Sequence, residues 1–99
     1  MRIKDLIPGK AYMFTSDYLD SQYLALFDKI DDEDDIWVRN YINVKDHSYS
    51  TGGGTIKPVS IRLPTINEAR HFNMCREAKQ YVAPPEDQEE IIVEQFKAY

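Results

Sequence analysis

A chain of 99 residues, 42% hydrophobic and 29% charged, is one folded domain's worth of sequence, which excludes a disordered polymer and a multi-domain machine. The net charge of −5 disfavours non-specific binding to nucleic acid, and a single cysteine, Cys75, excludes an internal disulfide. No apolar run is long enough to span a bilayer and the first ten residues carry no leader-type pattern, so a cytoplasmic protein with no membrane partner is expected.

The acidity is concentrated in two places. Residues 28–35 hold six acids and one lysine, and residues 86–90 hold four acids. The remainder is net basic, so the chain reads as a mildly basic body with two acidic patches.

The elements follow in chain order. Residues 3–10 form a lead-in closed by a Pro8-Gly9 turn. A short strand is predicted over Ala11-Tyr12-Met13-Phe14-Thr15, then a polar loop from Ser16 to Ser21. A second strand covers Gln22 to Ile30. The five acids from Asp31 to Asp35 repel one another when paired across strands, so they fall in a solvated turn. Ile36 to Lys45 is the clearest strand. Ile36, Val38, Ile42 and Val44 alternate with Trp37, Arg39, Tyr41 and Asn43, with Asn40 the polar break in the apolar series. Asp46 to Gly54 reads as a loop. Thr55 to Leu63 reads as a fourth strand, with Pro58 placing it at an edge.

Thr65-Ile66-Asn67-Glu68 is a capping-box pattern and predicts a helix from Thr65 to Tyr81. Ile66, Ala69, Phe72, Cys75 and Ala78 recur every three residues along it, and Ala83-Pro84-Pro85 stops it. Residues 86–99 read as a tail in which Ile92, Phe96 and Tyr99 would share one face of a short helix, while Ile91-Ile92-Val93 alone would suit a strand. The predicted fold is α+β: a small curled antiparallel sheet of about four strands, SH3-like, with the helix plugging one end. Residues 1–83 form the sheet-plus-helix unit. Residues 84–99 form an acidic linker and C-terminal segment that packs on it or extends from it.

The opening Met-Arg-Ile-Lys-Asp-Leu followed by Gly-Lys, the Tyr-rich meander, the glycine run, and Arg62-Leu63-Pro64-Thr65 leading to a helix ending Ala78-Lys79-Gln80-Tyr81-Val82 carry a likeness. In this layout the chain resembles small accessory proteins of bacteriophages and prophages of gut Bacteroidetes. There the helix commonly opens with a Leu-Ala-Thr-Pro-Glu-Glu type sequence. Here it is Leu63-Pro64-Thr65-Ile66-Asn67-Glu68, with the proline before the cap. The resemblance brings no catalytic residues. It implies a phage protein in the host bacterial cytoplasm that acts on a host machine, in host takeover or anti-defence.

Four groups of residues are candidate sites. Asp31, Asp32, Glu33, Asp34 and Asp35 could present a phosphate-like surface to a basic partner. They lack the glycine and alternating spacing of a calcium loop, and a solvated turn is the plainer reading. Gly52, Gly53 and Gly54 with Lys57 could cradle an anion through consecutive amides, but such loops normally open a helix, so a flexible connection is the plainer reading. His71 and Cys75 are neighbours on the predicted helix, yet His47 is the only other histidine and no second cysteine exists, so no zinc site is expected. A cysteine in the apolar series packs inward and is inert. Finally, Trp37, Arg39 and Tyr41 share one predicted strand face, which either grips a peptide or base or is covered as a second core.

These readings favour a non-catalytic interaction protein that binds a host or viral protein and uses no cofactor or metal. A nucleotide-like ligand module built on the glycine run is the alternative, and an enzyme ranks third. An unpaired sheet edge also admits a homodimer.

Overall fold

The computed structural model describes residues 1–18 and 21–84. A 3-10 turn (Ile3–Asp5) precedes five strands: β1 (Ala11–Ser16), β2 (Gln22–Ile30), β3 (Ile36–Asn43), β4 (Ser48–Ile56) and β5 (Pro58–Arg62). Among the described residues one α-helix, α1 (Ile66–Ala78), follows. The strands form a single antiparallel sheet in the order β4-β3-β2-β1-β5. The expected α+β class holds, with five strands in place of about four. The helix expected in the tail lies outside the described residues.

The fifth strand arises from the glycine run. Gly53 and Gly54 pair with Arg39 and Val38, so the stretch expected to be a loop is the middle of β4. The region expected as one strand from Thr55 divides at Lys57, and Pro58 opens β5. Proline is tolerated at the first residue of an edge strand, where no ladder bond needs its missing N–H.

Chain connectivity forces the sheet to curl. β4 and β5 are its opposite edges, yet only Lys57 separates them. Five flat strands would hold these edges about 19 Å apart. Two residues separated by a single linker reach at most about 7 Å. The edges must therefore converge at the Ile56–Pro58 corner, although no ladder joins them. The packing agrees. Ile56 from one edge and Ile61 from the other belong to one apolar cluster with Tyr12, Phe14, Phe27, Ile36 and Val38. This is the face enclosed by the curl.

The lead-in closes that enclosed face. Lys10 N–H bonds the Ile7 carbonyl at 3.1 Å across Pro8-Gly9, and Gly9 takes φ 86°. That is the left-handed position of a type II turn, which glycine occupies without a Cβ clash. The turn brings Leu6 into the enclosed cluster, and the buried Tyr12 hydroxyl accepts the Ile7 N–H at 2.9 Å.

The opposite face carries α1. Met13, Leu24, Leu26 and Ile42 pack there with Phe72 and Cys75 of the helix. The helix lies on this outer face; it does not plug an end. Its start follows the expected capping box: Glu68 N–H donates to Thr65 Oγ1 at 3.1 Å and Thr65 N–H to Glu68 Oε1 at 2.8 Å. Its end comes earlier than Tyr81. Lys79 adopts the left-handed conformation at φ 57°, and its N–H bonds carbonyls of the last turn.

The apolar series also contacts the sheet less than its repeat suggests. Each three-residue step lags a full helical turn by about 60°. From Ile66 to Ala78 the stripe therefore winds most of the way round the helix. Only its middle meets the sheet: Phe72 and Cys75 are buried, while Ile66 is 74% exposed.

Candidate functional site

Asn40 decides where the strand-β3 candidates point. On β2 only Ala25 lies between the residues paired with Arg39 and Ile42, so Asn40 and Tyr41 together oppose one residue. Asn40 takes φ 49°, a conformation asparagine tolerates better than most residues. This bulge shifts the alternation by one. Ile36 and Val38 face the enclosed core, and after the bulge Tyr41 does too, while Ile42 faces the helix. The expected single face of Trp37, Arg39 and Tyr41 is therefore split. Trp37 and Arg39 are exposed on the helix side of the sheet, beyond the helix's cover, and Tyr41 is half-buried on the other side. Nor do Ile36, Val38, Ile42 and Val44 share one face.

The five acids of the β2–β3 turn sort into two groups. Asp31 is a structural hub. Its Oδ1 accepts the N–H groups of Glu33 at 2.9 Å and Asp35 at 3.0 Å, and its Oδ2 accepts the Trp37 indole N–H at 2.8 Å. The Trp37 bond above all, with the two amides, holds this carboxyl below its ordinary value, against a smaller opposing effect of burial. Asp35 pairs with Lys57 at 3.3 Å. The Lys29 ammonium sits 5.4 Å from the Trp37 ring centre. By contrast, Asp32, Glu33 and Asp34 are exposed, and among the described residues no partner takes their carboxylates. Asp34 sits at φ 62°, closing the turn. The turn is thus braced from within and offers three carboxylates outward. No group of acids, histidines and cysteines among the described residues is placed to hold a metal ion.

The glycine run is no phosphate nest. Successive amides converge on an anion when the backbone alternates into the left-handed region. Among the described glycines only Gly9 has a positive φ, and Gly52 to Gly54 are extended. What Gly54 does is open a cleft. A Cβ built there meets nothing within 4 Å. Opposite Val38 in register, it faces the enclosed side of the sheet. The cleft of about 240 Å³ is lined by Ser16, Tyr23, Val38, Tyr41, Gly54, Ile56 and Lys57, among others. Tyr23 and Tyr41 meet edge-to-face with ring centres 6.0 Å apart. Three candidates from two different sequence readings, Tyr41, Gly54 and Lys57, come together here. Tyr23 and Ser16 are additions that the sequence signals only through strand alternation.

His71 and Cys75 serve the chain after the helix. His71 Nε2 donates to the Val82 carbonyl at 2.7 Å, and the Val82 N–H bonds the Cys75 sulfur. Burial pushes the Cys75 thiol up, which keeps it protonated and unreactive. Tyr81 packs edge-on against both His71 and His47, and its hydroxyl lies 3.0 Å from His47 Nδ1. These side chains fasten Tyr81 and Val82 to the helix and to the β3–β4 connection.

No described helix is long and apolar enough to cross a membrane. Comparison with protein-family models, curated proteins and solved structures found no match.

Proposed function

We propose that this protein is a phage-encoded, non-catalytic interaction module whose acidic β2–β3 turn engages a basic surface of a host or viral protein in the bacterial cytoplasm. The observation that carries this reading is the division of labour in the turn. Asp31 spends its carboxylate on three internal donors, and Asp32, Glu33 and Asp34 stand outside. A preorganised anionic tip loses little conformational freedom on binding, so its charges contribute to affinity and to encounter rate. Exposed Trp37 at the base of the turn supplies the aromatic contact typical of interface centres. The accompanying fold reading is a small SH3-like barrel. The strand order and the one-residue step between the edge strands support it.

A photo-crosslinking residue at position 33, compared with one at position 77 on the helix, tests the proposal in host cells. Crosslinking at 33 alone is expected to yield one protein. Asp32→Lys combined with Asp34→Asn, which suits the left-handed position of residue 34, is expected to cut the yield at least about tenfold while the melting temperature holds. Equal yields from both positions, or a yield indifferent to the double substitution, would refute it.

A further inference from the structure

The cleft on the enclosed face has the makings of a small-ligand site, distinct from the outward carboxylates Asp32, Glu33 and Asp34 of the acidic turn. It exists because position 54 has no side chain. Val38 and Ile56 line it, yet the space a Cβ would enter at Gly54 is open. The absent Cβ also lets a ligand approach the β4 backbone, a use to which strand glycines are put. One wall is aromatic, from Tyr23 and Tyr41, which come from different strands and meet only because the Asn40 bulge turns Tyr41 inward. The floor is Val38 and Ile56, and Ser16 offers a hydroxyl.

Charge and size narrow the ligand. Lys57 is the only cation among the lining residues, and its side chain is 73% exposed. Its ion pair with Asp35 is correspondingly weak, so an incoming anion displaces it at little cost. A cation would meet Lys57 head-on. The volume of about 240 Å³ falls below the range of roughly 300–1,000 Å³ usual for drug-sized ligands. A single ring with a short arm fits that space, and a dinucleotide does not.

We infer that the cleft between Tyr23, Tyr41 and Gly54 binds a single flat aromatic or heteroaromatic ring bearing one anionic group, with the ring against Tyr41 and the β4 backbone and the anion on Lys57. Carboxylate and phosphate satisfy this chemistry equally, so the test uses one of each.

Orotate and uridine 5′-monophosphate are titrated into the isotope-labelled full chain, with uracil as the ring without an anion, and backbone amide shifts are followed. Saturable shifts confined to residues around Tyr23, Tyr41 and Gly54 are expected with at least one anionic probe, and the responding probe identifies carboxylate or phosphate as the preferred anion. Gly54→Val places a β-branched side chain in an extended position with open space, so the fold is expected to survive. It should weaken binding at least about tenfold by filling the cleft. Lys57→Gln should weaken the anionic probe about threefold or more and leave uracil unchanged. The inference fails if neither anion gives saturable shifts up to about 10 mM, if uracil binds as tightly as the anions, or if Gly54→Val binds as wild type does.

Discussion

The two faces of the sheet are closed by different means. The enclosed face draws side chains from all five strands, because the one-residue step at Lys57 bends the sheet over it. The outer face is sealed by two helical side chains, Phe72 and Cys75, helped by Tyr81 and Val82 beyond the helix. A short chain thus obtains two apolar clusters from one sheet, one by curling and one by borrowing a helix. The difference predicts unequal cooperativity. The enclosed cluster unfolds with the sheet, whereas the helix can leave while the sheet persists.

Truncation of the two central aromatics tests this most strongly. Phe14→Ala, at 0% exposure in the enclosed cluster, is expected to cost about 3–5 kcal/mol and to unfold the whole domain in one transition by denaturant titration. Phe72→Ala is expected to cost toward the lower end, about 3 kcal/mol. In that variant amides of α1 should exchange early while the β1–β2 ladder stays protected. Identical loss of protection in both variants would make the two faces a single unit.

A smaller effect is expected at the helix entry. Two bonds from Arg62, at 2.7 and 2.9 Å, hold Glu68 down to about 2 from an ordinary 4.5, against the opposing effect of burial and with help from the Thr65 amide. A carboxyl whose folded value is depressed stabilises the fold above its unfolded value and loses that stability as pH falls through its folded value. Glu68→Gln should therefore cost about 1 kcal/mol at pH 7. The gap between variant and wild type should shrink as pH drops from 4.5 toward 2. A gap independent of pH would remove the ion pair from the account.

The smallest effect is expected at the helix exit. Lys79 occupies a left-handed position that glycine adopts without a Cβ penalty. Lys79→Gly should raise stability by about 0.5–1 kcal/mol, read as a higher melting temperature.

Much of this was legible in the sequence where the signal is local. The capping box at Thr65, the turn at Pro8-Gly9 and the acidic turn depend on a few adjacent residues, and each stands where the pattern places it. The faces of β3 were not legible, because one left-handed residue, Asn40, inverts every side chain after it. The polar break in the apolar series was that bulge's only trace. The glycine run misled for a related reason: glycines mark loops by frequency, but here pairing with β3 holds them extended and their use is the space they leave. The split between Asp31 and its neighbours was also hidden. Five similar acids differ only in which of them the turn aims inward at Trp37.

The inward aim of Asp31 braces the acidic tip before any partner arrives. Amide hydrogen exchange measures it directly. The Glu33 and Asp35 amides, both bonded to Asp31 Oδ1, should exchange at least about tenfold more slowly than the Asp32 amide, and Asp31→Ala should abolish the difference while leaving the sheet protected. Equal exchange across residues 32–35 in the wild type, or protection that survives Asp31→Ala, would contradict it.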